Sequence, residues 1–540
     1  MTRRRQFIIP GLFIAAGFGV FSTILTSYFL SDDFVQIGKV LNGDFSVVWG
    51  RAHGGFFRPL FVLSYIIDAK IWGARPLGFH ITNVAVHSLN AFLVFLLSFR
   101  LLEYLESSAM ARQTVSMIAG ALFLLHPSHT EAVSWISGRA DLIATFFSLL
   151  SLLVFLSHRQ TQRSSRLVIS LVCFALALLA KESAICVPFL ILAIELFARG
   201  NKYRWRRSLA LSALYVLILL VFIAVRYAFL GSLVGGYGPG QHLNFALPWL
   251  RDRLLEALVR SILPALPSQL SPFLFKPLQS RAFILFLLIF GAVTTLIIIF
   301  RRRMCEASTR KKQNRFIIAL ACLFLFSLLP VINLRLTLYQ TLGERFLYLP
   351  TVFSCLLTAY LCAILVRPFA VWLLILICAV AIYSTTLYRT NRLWKEAALL
   401  SQSIKDELAN SATRNRLLIL NAPDNLKGVP VFHNGLPEAL HYFQNQKPVK
   451  QVEIIAFQDL QSARDEVQLT WSAGVWRLRL LNKDARFSEV SPAKCWKILS
   501  RTTSSLDLRP ACSTDADLFV FSNGKMLRVC EPPDNFVAKQ

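Results

Sequence analysis

Residues 7–33 read FIIPGLFIAAGFGVFSTILTSYFLSDD. No charge interrupts the stretch from Phe7 to Leu30, and Ser31-Asp32-Asp33 follows at once. A helix over those apolar residues reaches about 36 Å, enough to cross a hydrocarbon layer about 30 Å thick. Arg3-Arg4-Arg5 stands before it. The segment is too long for a signal-peptide core and has no small-residue cleavage site, so it is expected to stay as a span. Two carboxylates at the far mouth of a span are poor topology anchors, because positive charges set orientation and acidic ones contribute little. Their position suits chemistry at a membrane surface, where a lipid headgroup meets a water-borne substrate.

The same pattern recurs along the chain. The 540 residues are 55% hydrophobic, with a mean hydropathy of +0.54. About eleven spans are expected, near 7–30, 79–100, 112–126, 142–157, 167–180, 184–198, 208–229, 281–300, 316–331, 346–366 and 369–388. The net charge of +27 suggests nucleic-acid binding until its placement is considered. The basic runs are Arg3–Arg5, Arg159 with Arg163 and Arg166, Arg199 to Arg207, and Arg301–Arg303 through Arg315. They fall in alternate loops, as cytoplasmic Lys and Arg do, and no nucleic-acid partner is expected. The threading places the N-terminus inside. Outside lie 31–78 (the first external loop), 127–141, the turn Lys181-Glu182-Ser183, 230–280, 332–345 and everything after 389. Residues 167–198 are long for one crossing and short for two, so two short helices or a re-entrant hairpin are expected there.

Two domains follow: a transmembrane unit over 1–388 and an extracytoplasmic soluble unit over 389–540. The fold class is an α-helical polytopic membrane protein with a C-terminal soluble α/β or α+β domain. In the tail, a polar helix over 389–415 precedes β-prone runs at Leu417–Leu420, Val452–Phe457, Val467–Trp471, Val475–Leu481 and Leu518–Val529. Ser472-Ala473-Gly474 and Ser522-Asn523-Gly524 have hairpin-turn chemistry. Positioning or partner binding is the expected role of this tail, since no catalytic set is recognisable in it. Cys495, Cys512 and Cys530 permit one disulfide and leave one thiol. No Asn-x-Ser/Thr sequon occurs, which favours a bacterial inner membrane over the endoplasmic reticulum.

Ionisable groups in or beside a bilayer are costly and point to function. Asp32 and Asp33 suit a general base or a cation site. Arg58, in Phe57-Arg58-Pro59-Leu60, offers a planar fork for phosphate; Pro59 starts a short interfacial helix with Leu60, Leu63 and Ile67 on one face. His53 and His80 flank it, and His87 is expected to bond a neighbouring helix. His126, His129 and Glu131 lie within six residues, but Pro127 and the spacing fit no standard zinc pattern. Gly138-Arg139-Ala140-Asp141 presents an Arg beside a carboxylate. Lys181-Glu182, Arg226-Tyr227 and Gly343-Glu344-Arg345 sit near the same face, either around a phosphate or in interhelical ion pairs. Gly235-Gly236-Tyr237-Gly238-Pro239-Gly240 lacks the GK[ST] ending of a P-loop and reads as a flexible external loop.

Taken in order, Asp32-Asp33, Phe57-Arg58-Pro59-Leu60, Gly78-Phe79-His80 with Asn83 and His87, HPSHTEAV (126–133) with Gly138–Asp141, Leu179-Ala180-Lys181-Glu182, and ERFLYLP (344–350) resemble one family. This is the membrane part of the transmembrane and tetratricopeptide-repeat O-mannosyltransferases and their bacterial relatives, in the GT-C superfamily. The resemblance covers roughly residues 7–395. It implies an inverting hexosyltransferase that moves a sugar from a polyprenyl-phosphate-linked donor to an acceptor hydroxyl, on a protein or glycan, at the non-cytoplasmic face. By position it implies Asp32, with Asp33 beside it, as the catalytic acid pair. Arg58, Arg139, Lys181 and Arg345 are then candidates for the donor phosphate. His53, His80, His126, His129, Glu131, Asp141, Glu182, Arg226 and Glu344 are the expected pocket. Whether the histidines and Glu131 shape the pocket or hold a divalent cation is left open. The family's animal members continue into tetratricopeptide repeats and this chain does not, so acceptor and sugar do not carry over. The competing class is a transporter or lipid flippase with a periplasmic binding domain. Against it, the polar motifs gather at one face and no half-length symmetry is visible.

Overall fold

The computed structural model describes residues 3–49, 56–106, 112–198, 205–232, 244, 246–263, 307–334, 336, 340–365, 369–443, 451–490, 496–510 and 516–529. His53, the expected span 281–300, the Gly235–Gly240 run and the three tail cysteines lie outside the described residues.

The N-terminal region is helical and the C-terminal region is β-rich. The first helices are α1 (Arg3–Val20), α2 (Asp32–Leu41), α3 (Pro59–Trp72), α4 (Pro76–Leu101), α5 (Arg112–Leu125), α6 (Thr130–Ser134), α7 (Arg139–Thr161), α8 (Ser164–Ala180), α9 (Val187–Phe197), α10 (Trp205–Leu230) and α11 (Leu247–Arg260). Helices Ala307–Leu328, Pro350–Leu365 and Phe369–Ser411 follow. Among the described residues four helical stretches are long and apolar enough to cross a membrane: Pro76–Leu105, Ile136–Thr161, Ser208–Leu230 and Ala370–Ser411. The expected count of about eleven is therefore corrected. Several apolar runs break before they reach spanning length. Helix α5 ends ahead of Pro127, which cannot donate to the helix ladder, and its 14 residues cover about 21 Å. The 167–198 stretch breaks at Lys181, whose backbone is extended, into α8 and α9.

A membrane setting follows from surface chemistry as well as length. On α10, Leu209, Leu217, Leu220 and Val221 are exposed, as are Leu374, Ile377 and Ile382 on the Phe369–Ser411 helix. Such continuous apolar faces are unfavourable in water and natural against lipid. Helix α7 has buried Asp141 near one end and buried Arg159 near the other, with Arg159 Nε 2.7 Å from Glu195 of α9. The rise between them is about 27 Å, close to one hydrocarbon thickness.

The Phe369–Ser411 helix continues without a break from its apolar half into its polar half, and strands begin at Arg416. The strands are β1 (Arg416–Leu426), β2 (Val429–Pro430), β3 (Gln451–Leu460), β4 (Val467–Ser472), β5 (Val475–Leu480), β6 (Arg486–Val490), β7 (Trp496–Arg501), β8 (Ser505–Pro510), β9 (Asp517–Ser522) and β10 (Lys525–Val529). One mixed sheet has the order β10-β9-β1-β3-β6, with β2 on β1; the other is antiparallel, β4-β5-β8-β7. Strand β1 lies parallel to both β3 and β9. Its run Leu417–Leu420 is apolar throughout because both faces are covered. Leu417 and Ile419 pack toward the long helix and the first external segment, while Leu418 and Leu420 pack against the second sheet. Both expected hairpin turns are present, with Ala473-Gly474 and Asn523-Gly524 at positive φ.

A single apolar cluster welds the two regions together. Phe34 and Ile37 of α2, Phe79 of α4 and Trp135 meet Trp394 and Ile404 of the long helix and Phe432, Leu436 and Phe521 of the β-rich domain.

Candidate active site

The site is built around the turn before α2. Ser31 has φ 46 and ψ −115, a left-handed conformation that costs a non-glycine residue of order 1–3 kcal/mol. It turns the chain so that the two acids leave the end of the apolar run in different directions. Asp33 points inward and is buried; Asp32 is partly exposed. Asp33 Oδ1 accepts from Ser137 N (2.8 Å) and Ser137 Oγ (2.5 Å), and Oδ2 accepts from Leu30 N (3.0 Å). Burial outweighs these donors and pushes the Asp33 carboxyl up to about 7. Asp32 Oδ1 accepts from Asn434 Nδ2 at 2.8 Å.

The other charged residues of the set form a wall of ion pairs. Arg58 precedes α3, where Pro59 sets the first helical turn. It grips Glu182 with Nε and Nη2, at 3.0 and 2.5 Å. Although burial alone raises a carboxyl pKa, the Arg58 charge and hydrogen bonds pull Glu182 down to about 2. Lys181 Nζ lies 2.6 Å from Asp141 Oδ2. Arg139 is wholly buried and engaged on every side: Asp68 at 2.6 Å, Asn83 Oδ1 at 2.7 Å, the Phe79 carbonyl at 2.8 Å and Ser64 Oγ at 3.3 Å. Arg345 pairs with buried Glu131 through its guanidinium and its backbone N–H. Glu344 pairs with buried Arg260 of α11.

These parts form one continuous set. Trp135 Nε1 donates to the Leu30 carbonyl (3.3 Å), Arg345 lies over the Trp135 and Phe346 rings, and Lys181 lies over Phe346. Gly138 lets the Ser137–Arg139 corner sit against α6: a Cβ there would fall 2.5 Å from the Glu131 carbonyl oxygen. A pocket opens between α2 and α3, lined by Gln36, Val47, Phe56, Arg58, Phe61, Val62 and Tyr65.

Of the expected site residues, Asp33, Arg58, Glu131, Arg139, Asp141, Lys181, Glu182, Glu344 and Arg345 belong to this connected set, with Asp32 at its rim. Arg58 and Arg345 keep 14% and 20% of their side chains exposed, whereas Arg139 and Lys181 keep 0% and 4%. His80 is buried in α4, and Arg226 is half-buried on α10. His126 donates from Nε2 to the Ser261 carbonyl (3.1 Å) and sits 2.7 Å from Ser128 Oγ; His129 Nε2 is 2.8 Å from Thr351 Oγ1. Among the described residues no group of three His, Cys, Asp or Glu is placed to hold a metal. His87 bonds neighbouring segments, at 2.7 Å from Tyr348 Oη and 3.1 Å from the Leu124 carbonyl. On α3, Leu63 and Ile67 are exposed as the apolar face of an interfacial helix would be. Sequence reasoning missed Asp68, Ser137 and Asn434. None stands in a motif, and only the fold brings each to a charged partner.

Comparison with known proteins adds the family context. Residues 76–246 match a domain of unknown function (DUF8201). The chain is 37% identical to Protein O-mannosyl-transferase Tmtc1 of Drosophila melanogaster over 155 residues, covering 28% of this chain and 17% of that protein. It is 24% identical to a Caenorhabditis elegans protein O-mannosyl-transferase over 393 residues, covering 68% of this chain and 51% of that one. The chain thus spans from about a sixth to about half of these relatives. Among solved structures, ArnT from Cupriavidus metallidurans bound to undecaprenyl phosphate is 12% identical with a TM-score of 0.41, covering 92% of this chain and 97% of that one. Over its membrane region the chain is similar to protein O-mannosyl-transferases, in keeping with the motif resemblance.

Proposed function

We propose that the chain is an inverting membrane glycosyltransferase that takes a sugar from a polyprenyl-phosphate-linked donor and delivers it to an acceptor hydroxyl on the non-cytoplasmic face. The observation that supports this reading is a chain of contacts from Arg345, over the Trp135 ring, through Leu30 to Asp33, with partly exposed Arg58 lining the adjoining pocket between α2 and α3. Asp32 takes the proton of the acceptor hydroxyl as that oxygen attacks the anomeric carbon. The bond from that carbon to the phosphate oxygen breaks, and the lipid phosphate leaves with both electrons. Arg58 and Arg345 face the charge that develops on it, each preset by a carboxylate behind it. Arg139 and Lys181 act from further back, as the buried struts of the pocket. The membrane region is a polytopic helical bundle, with the N-terminus cytoplasmic and the β-rich domain outside a bacterial inner membrane. The O-mannosyl-transferase relatives support the sugar-transfer class.

The test uses the purified full chain in nanodiscs with radiolabelled polyprenyl-phosphate mannose and glucose, and an envelope extract as acceptor. Labelled product and released polyprenyl phosphate are expected, with Asp32→Asn lowering turnover on the order of 10²-fold while undecaprenyl phosphate binding persists. If the wild type consumes no donor and fails to bind undecaprenyl phosphate, the reading is wrong.

A further inference from the structure

The β-rich domain reaches into the acid corner through one short segment. Ser31 N donates to the Val431 carbonyl at 2.9 Å, and Asn434 N donates to Ser31 Oγ at 3.1 Å. The strained Ser31 turn is therefore fastened on both its backbone and its side chain by residues 400 positions away in the chain. Phe432 stacks on Phe34 of α2, with ring centroids 5.7 Å apart and planes at 19°. Gly435 closes the contact. Its φ is +88, and a Cβ at that position would stand 2.4 Å from the Ser31 carbonyl oxygen, so the fit admits glycine alone.

What this segment presents is polar and directed. Asn434 Nδ2 donates to Asp32 Oδ1 at 2.8 Å. The amide oxygen cannot donate, so the bond fixes which carboxylate oxygen of Asp32 is occupied and which stays open to an incoming hydroxyl. The adjacent residue, His433, has its ring 61% exposed, with Nδ1 2.7 Å from Asp424 Oδ1. Asp424 is itself held by the sheet, on β1 next to Asn425. The Asp424 and Asp32 carboxylates both favour the charged imidazole. An anchored, exposed imidazole beside an oriented carboxylate is built to bind something arriving from the solvent side.

We propose that the C-terminal domain completes the active site, Asn434 acting as a positioning residue for Asp32 and the His433–Asp424 pair as the contact that selects the hydroxyl-bearing acceptor. This deepens the glycosyl-transfer reading and rests on it. The ring Nε2, opposite the Asp424 bond, is the atom that faces an acceptor oxygen. The donor side needs neither residue.

The experiment compares Asn434→Ala, Asn434→Ser and His433→Gln with wild type in the nanodisc assay described above. Asn434→Ala is expected to lower kcat about tenfold with donor KM unchanged, and Asn434→Ser, which keeps a short donor, to recover part of it. His433→Gln is expected to raise the half-saturating concentration of envelope extract about tenfold with little change in kcat. Undecaprenyl phosphate affinity and thermal midpoint should stay at wild-type values in all three. Variants that match an active wild type overturn this inference and leave the transferase reading intact. So does a loss of transfer that tracks a loss of lipid binding or of thermal stability. A wild type inert toward every donor and blind to undecaprenyl phosphate removes the transferase reading, and this inference with it.

Discussion

The carboxylates on the two sides of the site face different partners. On the wall, Asp68, Glu131, Asp141, Glu182 and Glu344 each meet an Arg or Lys. At the corner, among the described residues, the hydrogen bonds to Asp32 and Asp33 come from an amide, a hydroxyl and backbone N–H groups. The wall spends its charge internally. A buried ion pair contributes little net stability against an apolar pair, but it fixes geometry, because breaking it strands a charge in a dry place. Among the described residues the corner has no Arg or Lys bonded to its acids, which is the setting a proton acceptor needs. The difference separates residues that shape the pocket from those that act in it, although all but Asp68 were found by the same criterion of charge near a membrane face.

The largest expected effect breaks the wall at its most buried cation, Arg139. Asp68→Asn leaves Arg139 charged, wholly enclosed and without its anion. Breaking such a pair typically costs about 3–5 kcal/mol, so the denaturation midpoint in nanodiscs should fall sharply, and activity should fall with it. By contrast, Asp32→Asn should keep the midpoint and lose turnover on the order of 10²-fold. If Asp68→Asn unfolds at the wild-type midpoint, Arg139 is no strut. A smaller effect is expected at the corner's support. Gly138→Ala forces a methyl against the Glu131 and Ala132 carbonyl oxygens. Both are backbone atoms that cannot swing aside, and overpacking of this kind costs about 1–3 kcal/mol. Because Ser137 is the donor that holds Asp33, turnover should fall further than stability alone accounts for. Arg58→Lys is milder still. Lys keeps the charge and loses the two-pronged hold on Glu182, so donor KM is expected to rise several-fold with kcat nearly kept.

Much of the site was legible because chemistry at a membrane face is conspicuous. An acid pair at the end of an uncharged run, an Arg before a Pro, and Lys181-Glu182 between apolar stretches all stand out against a background of Leu and Phe. The partner of each charge was not legible. Lys181 meets Asp141, and Arg139 meets Asp68, because pairing depends on which helix ends the fold brings together. The helix count was legible only roughly: apolar composition marks a run as lipid-compatible, while the extended backbone at Lys181 decides that it is two short helices. The β-rich domain was recognised from its apolar runs and turn pairs, yet β6, β7 and β8 were missed. Their exposed residues alternate with few buried ones, so they carry little hydrophobic signal. Least legible was Asn434, an exposed residue in a loop, whose significance lies only in its contact with Asp32.

The two sides also differ in pH dependence, with opposite sign. Asp33 has a folded-state pKa raised to about 7 by burial, against about 3.9 for an unfolded Asp. Between those values the folded state holds the proton more tightly, so stability falls as pH rises, by up to about 1.4 kcal/mol per pH unit for this one group. Glu182 behaves in the reverse way. Its pKa is pulled down to about 2 by Arg58, so its contribution is full above the unfolded value near 4.3 and is lost as pH drops toward 2. Denaturation midpoints measured from pH 4 to 7 should therefore decline more steeply in wild type than in Asp33→Asn, which has no proton to lose there. The Glu182→Gln variant should keep the wild-type slope across that range and diverge only below about pH 4. Equal slopes for wild type and Asp33→Asn would mean that the buried acid is already ionised at pH 4. The corner would then be a second charged wall, with no reserve proton beside Asp32.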